Sequence, residues 1–207
     1  AAAELVRPGE PVADIGCDHG KLTAVLAASG KYPKVIGADL RPGPLAKAEQ
    51  TLEHAGCKDR AELRLGDGLS VLTENEVGSI VLAGVSAQTT WEILEKAPWV
   101  FTVGGPRIIM IPATRHDALR RWLWEHGFSF AADRPVQAAG RWYAVMAVHL
   151  PAAVHQQAGI IPVFRQLQRR DGLHCFVYLI NCYHIFTILA LSVIAYAMPP
   201  LPAGEAR

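Results

Sequence analysis

The chain has 207 residues, a formal net charge of +1 and 51% hydrophobic residues. That suffices for one α/β domain with a full core plus a smaller appendage, and the charge is too balanced for a global nucleic-acid signature. Its four cysteines (17, 57, 175 and 182) form no C-x-x-C pair and no His-rich ligand spacing, so neither a disulfide framework nor a metal site is expected, as suits a reducing, cytoplasmic setting.

The opening residues carry no signal-peptide pattern, and Ala1 to Val6 read as the last turns of a helix. Strand and helix signals then alternate. Val12-Ala13-Asp14-Ile15 is an apolar strand that breaks at Gly16-Cys17-Asp18-His19-Gly20 and enters a helix over 21–29. A second strand, 34–39, ends on Asp39, and Pro42-Gly43-Pro44 opens a helix that Gly56 closes. A third strand, 61–65, leads to Gly66-Asp67-Gly68 and a short helix or turn over 69–74. Strands at 79–83 and 107–111 flank a helix over 88–96. His116 to His126 is helical, with Leu119, Trp122 and Leu123 on one face and Gly127 as its stop. Strands 128–135 and 141–149 then form an antiparallel hairpin around 137–140. The expected fold is a doubly wound, mainly parallel, seven-stranded Rossmann-like sheet with an antiparallel edge hairpin, a pattern shared with class I methyltransferases.

Three loops place acids at consecutive strand ends. Ligands of open α/β sheets bind at the carboxyl ends of strands, and an acid ending the second strand suits ribose hydroxyls. A dinucleotide fingerprint needs a glycine where this chain has Asp18, whose charge repels a pyrophosphate and favours a cationic ligand. S-adenosylmethionine, with a sulfonium, an ammonium and no phosphate, fits that substitution. Asp67 is then placed to accept from the adenine amino group, and Asp14 to position the ammonium end. Asp18 is the candidate for stabilising charge that develops on a methylated base, set beside a plainer reading in which it caps the following helix. His19 either contacts the cofactor or orients Asp18, and Cys17 reads as packing.

From Arg107 to Arg141 six arginines face Asp117, Glu125 and Asp133. This local excess reads either as a solvated face or as a phosphate-contacting patch that includes Arg115, Arg120 and Arg121. Trp91, Trp99, Trp122, Trp124 and Trp142 are available to a base taken from its stack, with Trp122 expected to face the core. Residues 151–207 read as a separate tail, whose run at about 175–198 carries no formal charge and follows Arg165, Arg169 and Arg170. It reads as a helix packed on the domain or on a partner chain, as a tail unrelated to the original reading frame, or as a membrane anchor.

Over 1–150, the domain proper, the chain resembles the bacterial tRNA (adenine-N1)-methyltransferase family, TrmK type. Val12-Ala13-Asp14-Ile15-Gly16-Cys17-Asp18-His19, Arg64 to Leu69, and Leu119-Arg120-Arg121-Trp122-Leu123 carry the likeness. It implies methyl transfer from S-adenosylmethionine to N1 of an adenine in the tRNA D-loop. It also implies cofactor contacts from Asp14, Gly16, Asp18, His19, Gly20, Asp39, Leu40, Asp67, Gly68, Ala83 and Gly84, with Asp18 catalytic. Two loops depart from the family: Gly84-Val85-Ser86-Ala87 stands where it has G-M-G-G, and Ile111-Pro112-Ala113 where it has Q-P-N. A methyltransferase for another nucleic acid or a small molecule, or a non-catalytic module that binds the cofactor or RNA, are therefore the rival expectations.

Overall fold

The computed structural model describes residues 1–151. The tail expected over 151–207, with its apolar run and the membrane reading, lies outside the described residues save for Pro151. Among the described residues no helix is long and apolar enough to cross a membrane.

Seven strands form one sheet in the order β3-β2-β1-β4-β5-β7-β6. They are β1 (Val12–Ile15), β2 (Val35–Asp39), β3 (Ala61–Leu65), β4 (Ser79–Ala83), β5 (Arg107–Ile111), β6 (Ser129–Ala138) and β7 (Arg141–His149). The first five are parallel, and β7 turns antiparallel against β5, with β6 at the edge. The helices are α1 (Lys21–Ala28), α2 (Pro42–His54), α3 (Ala87–Glu95) and α4 (His116–Glu125). The connection from β3 to β4 contains only a 3-10 turn, Gly68–Val71.

Alternation along the strands splits the core into two layers. Ile80, Leu82, Ile108 and Met110 face Leu94 of α3 and Leu119 and Leu123 of α4. Val12, Val81 and Ile109 face Leu26 of α1 and Leu52 of α2. Parallel strands covered on both faces are near-continuously apolar for this reason, and each fully buried Leu or Ile contributes roughly 2–3 kcal/mol.

The hairpin departs from expectation. Pro135 reads as the end of a strand, yet β6 continues to Ala138 and the turn shrinks to Ala139-Gly140, both at positive φ (48° and 74°). An edge strand tolerates a residue with no N–H, and a two-residue turn of this handedness matches strand twist. Trp122 packs against the core beside Leu119 and Leu123, as expected. It is half-buried in a ladder with Trp91 (6.5 Å), Phe101 (6.1 Å) and His126 (4.0 Å between centroids).

Candidate functional site

Two adjoining hollows sit at the carboxyl ends of β1, β2, β3 and β4. The first, about 230 Å³, is lined by Asp14, Gly16, Cys17, Asp18, His19, Lys21, Leu22 and Ala83. The second, about 280 Å³, takes in Asp39, Leu40, Arg41, Gly66, Asp67 and Gly68 from the sheet side and Thr89, Glu92, Ile93 and Lys96 from α3. Gly16 lines both, so together they make one crevice within the roughly 300–1,000 Å³ of ligand sites. Nine of the eleven expected cofactor residues line it. Gly20 and Gly84 line neither hollow.

Gly20 has a packing role instead. It sits at φ 68° before α1, where a Cβ would lie 2.7 Å from the Cβ of Ala48 on α2. The close approach of α1 to α2 depends on its bare backbone. Gly37 serves the site in a similar way. It pairs with Asp14 across β1–β2, and a Cβ there would meet Thr23 at 3.0 Å. That space lets Thr23 Oγ1 donate to the Asp14 carboxylate at 2.7 Å. Asp14 is buried, and burial pushes its carboxyl up to about 6 despite the lowering effect of that hydrogen bond.

Asp39 is buried at the end of β2 and binds the first loop to its own strand. One carboxylate oxygen accepts from the Asp18 backbone N–H at 3.1 Å, and the other from that of Arg41 at 3.0 Å. The remaining lone pairs are available to hydroxyl donors.

Asp18 stands at φ 49°, a conformation Asp tolerates better than most residues. Its carboxylate is 58% exposed and accepts from Nδ1 of His19, which holds it below the usual carboxylate range. Nε2 of His19 in turn lies 3.4 Å from Nζ of Lys47 on α2. His19 therefore orients Asp18, and α1 begins without any side-chain cap, so the capping role is not the one adopted. Cys17 is buried, and burial first, then Asp14 and Asp39, pushes its thiol up to about 12. It is not a nucleophile at neutral pH.

Asp67 forms an ion pair with Lys96 Nζ at 2.9 Å across the mouth of the second hollow. Lys96 and Lys47 were absent from the sequence-based site. Thr89, Glu92, Ile93 and Lys96 follow helical spacing, a signal that α3 presents one face to the crevice. Lys47 had no comparable signal.

The arginine segment disperses. Arg120 makes a two-point pair with Asp133 at 2.6 and 2.8 Å, Arg107 donates to the Leu5 carbonyl, and Arg134 lies 3.9 Å from Glu4. The expected patch including Arg120 is thus partly neutralised by contacts far away in sequence. Arg115 and Arg121 remain exposed. Among the described residues no cluster of three His, Cys, Asp or Glu is gathered to hold a metal.

A sheet of this order, with the crevice at its carboxyl edge, has a recognisable relative. Residues 1–146 match the methyltransferase domain family. The chain belongs to that family. It is 28% identical over 144 residues to the tRNA (adenine(22)-N(1))-methyltransferase of Bacillus subtilis (strain 168), a span of 70% of this chain and 60% of that relative. The chain thus spans less than two thirds of that relative's length. A proposed tRNA (m1A22) methyltransferase of Streptococcus pneumoniae in complex with S-adenosyl-L-methionine superposes with TM-score 0.67 at 28% identity, over 81% of this chain and 83% of that one. The Bacillus subtilis tRNA methyltransferase TrmK superposes with TM-score 0.67 at 22% identity, over 96% of this chain and 86% of that one, a likeness of fold.

Proposed function

We propose that this methyltransferase domain binds S-adenosylmethionine in the crevice and methylates N1 of an adenine in tRNA. The observation that carries the reading is the convergence of Asp14, Asp39 and Asp67, from three strand ends, on hollows that meet at Gly16. The donor set fits the cofactor: Asp14 and Asp18 line the first hollow, which suits an ammonium and a sulfonium. The Bacillus relative bears the same activity in its name, and the Streptococcus relative was solved with that cofactor.

Bound S-adenosylmethionine supplies an electrophilic methyl group for in-line displacement. Asp39, its orientation fixed by two backbone N–H donors, would hold the ribose hydroxyls. Asp67 would accept from the adenine amino group, which has to displace or share Lys96. Asp14 would pair with the ammonium end, and its burial away from water strengthens that pairing. Positioning provides most of the acceleration in such a displacement. Asp18, ionised and held by His19, would stabilise the positive charge that grows on the adenine ring as N1 is alkylated.

A second reading, a methyltransferase for another substrate, is favoured by the loop after β4. Val85 lines the second hollow, and Ser86 and Ala87 after it stand where the resembled family has two glycines. Transfer of labelled methyl to bulk tRNA, followed by nucleoside mass spectrometry, tests both readings. 1-Methyladenosine is the expected product. Label in another nucleoside supports the second reading, and transfer to no tRNA contradicts the first.

A further inference from the structure

The hairpin extends past the carboxyl edge of the sheet, the edge that bears the site. The last paired residues of β5 and β7 are Met110 and Met146, and β5 ends one residue later at Ile111. Because β7 runs antiparallel, its first residues, Arg141 to Ala144, continue past the carboxyl end of β5, the same edge that bears the crevice. Four strand residues reach about 13 Å, and β7 lies two strand spacings, roughly 10 Å, from β4. The carboxyl end of β4 is Ala83, which lines the first hollow.

The overhang has an unusual surface. Trp142 is 66% exposed and Tyr143 36%, although a large indole on a strand is ordinarily packed. From Arg134 to Val145 the sequence contains two arginines and no acid. Arg141 makes no ion pair among the described residues and is exposed. Strand alternation puts Trp142 on the face of Ala144, Met146 and Val148, the face covered by α4. On that face α4 starts just after the exposed Arg115. The loop before it is tied to the loop after β4, with Ala113 N–H donating to the Val85 carbonyl at 2.8 Å and Gly84 N–H to the Ile111 carbonyl at 2.9 Å.

We infer that the β6–β7 overhang is a substrate-binding surface for single-stranded RNA, in which Trp142 stacks on an unpaired base next to the target and Arg141 contacts its phosphate. The inference rests on the tRNA reading and extends it to how the substrate is held. An exposed indole gives a stacking platform that accepts any base, and the neighbouring Arg141 guanidinium supplies the phosphate contact such a platform needs. The occupant is RNA rather than a protein chain because the exposed rings of Trp142 and Tyr143 adjoin Arg141, which is exposed and forms no ion pair among the described residues.

The test uses the full chain, Trp142→Ala, Trp142→Phe and Arg141→Gln, with a tRNA transcript and labelled S-adenosylmethionine. Trp142→Ala raises the KM for tRNA about tenfold with kcat and cofactor Kd unchanged, and Trp142→Phe restores most of the loss. Arg141→Gln weakens binding and flattens its salt dependence. If the parent methylates tRNA and Trp142→Ala keeps its KM within twofold, the hairpin inference falls while the tRNA reading stands. If the parent methylates no tRNA, that reading falls, and binding of a single-stranded RNA oligonucleotide decides the hairpin: weaker binding by Trp142→Ala upholds it. Equal binding, or none by either protein, overturns it and leaves the indole to a protein partner.

Discussion

Asp14 gives the crevice a built-in dependence on pH. Burial raises its carboxyl to about 6, so in the free protein it is mostly protonated at pH 5 and mostly ionised at pH 7. A ligand ammonium against Asp14 interacts with the ionised form alone. Cofactor affinity therefore rises with pH through 6. The ionised fraction grows from roughly one in eleven at pH 5 to ten in eleven at pH 7, which predicts about a tenfold tightening over that interval. Below pH 6 binding also releases a proton, visible in calorimetry as a dependence of the heat on buffer ionisation enthalpy. Asp14→Asn keeps an acceptor for Thr23 Oγ1 but cannot ionise. It is expected to bind with little slope between pH 5 and 7, and about 2 kcal/mol more weakly at pH 7, the worth of a hydrogen bond to a charged group. A parent affinity that is flat over this range refutes the reasoning, and so does an Asn variant that retains the parent's slope.

Two further outcomes separate packing from chemistry. Gly20→Ala forces a Cβ against Ala48 at positive φ, and a loss of about 2–4 kcal/mol in denaturant unfolding is expected from combined strain and overpacking; a loss below about 1 kcal/mol would show that α1 and α2 can separate freely. Asp18→Asn removes the charge while keeping a residue suited to the left-handed region, so kcat for tRNA at saturating cofactor falls by about a hundredfold. Equal turnover in the two proteins would leave Asp18 with no catalytic part.

Much of the architecture is legible because fully buried strands announce themselves. Ser79–Ala83 and Arg107–Ile111 are short apolar runs between turn residues, and both strands match those bounds. The acids are legible because Asp14 lies within such a run, Asp39 ends one, and Asp67 follows the alternating strand Ala61–Leu65 by two residues. What the chain hides is long-range pairing. The grip of Thr23 on Asp14 requires an empty position at Gly37 on the neighbouring strand, and no local pattern connects residues 14, 23 and 37. The same holds for Lys47 behind His19 and for Lys96 over Asp67. Arg120 looked free for a phosphate because Asp133, its partner, lies on a strand thirteen residues away. Gly20 looked like part of a ligand loop because a glycine needed for helix packing and one needed for a ligand are the same letter.

Calorimetric titration of S-adenosylmethionine into the parent and into Asp39→Ala addresses the crevice most directly, since Asp39 both organises the first loop and faces the second hollow. One site per chain, with affinity at least tenfold weaker in the variant, is the predicted result. Equal affinity in the two proteins, or no binding by the parent, would contradict the assignment of this edge of the sheet to the cofactor.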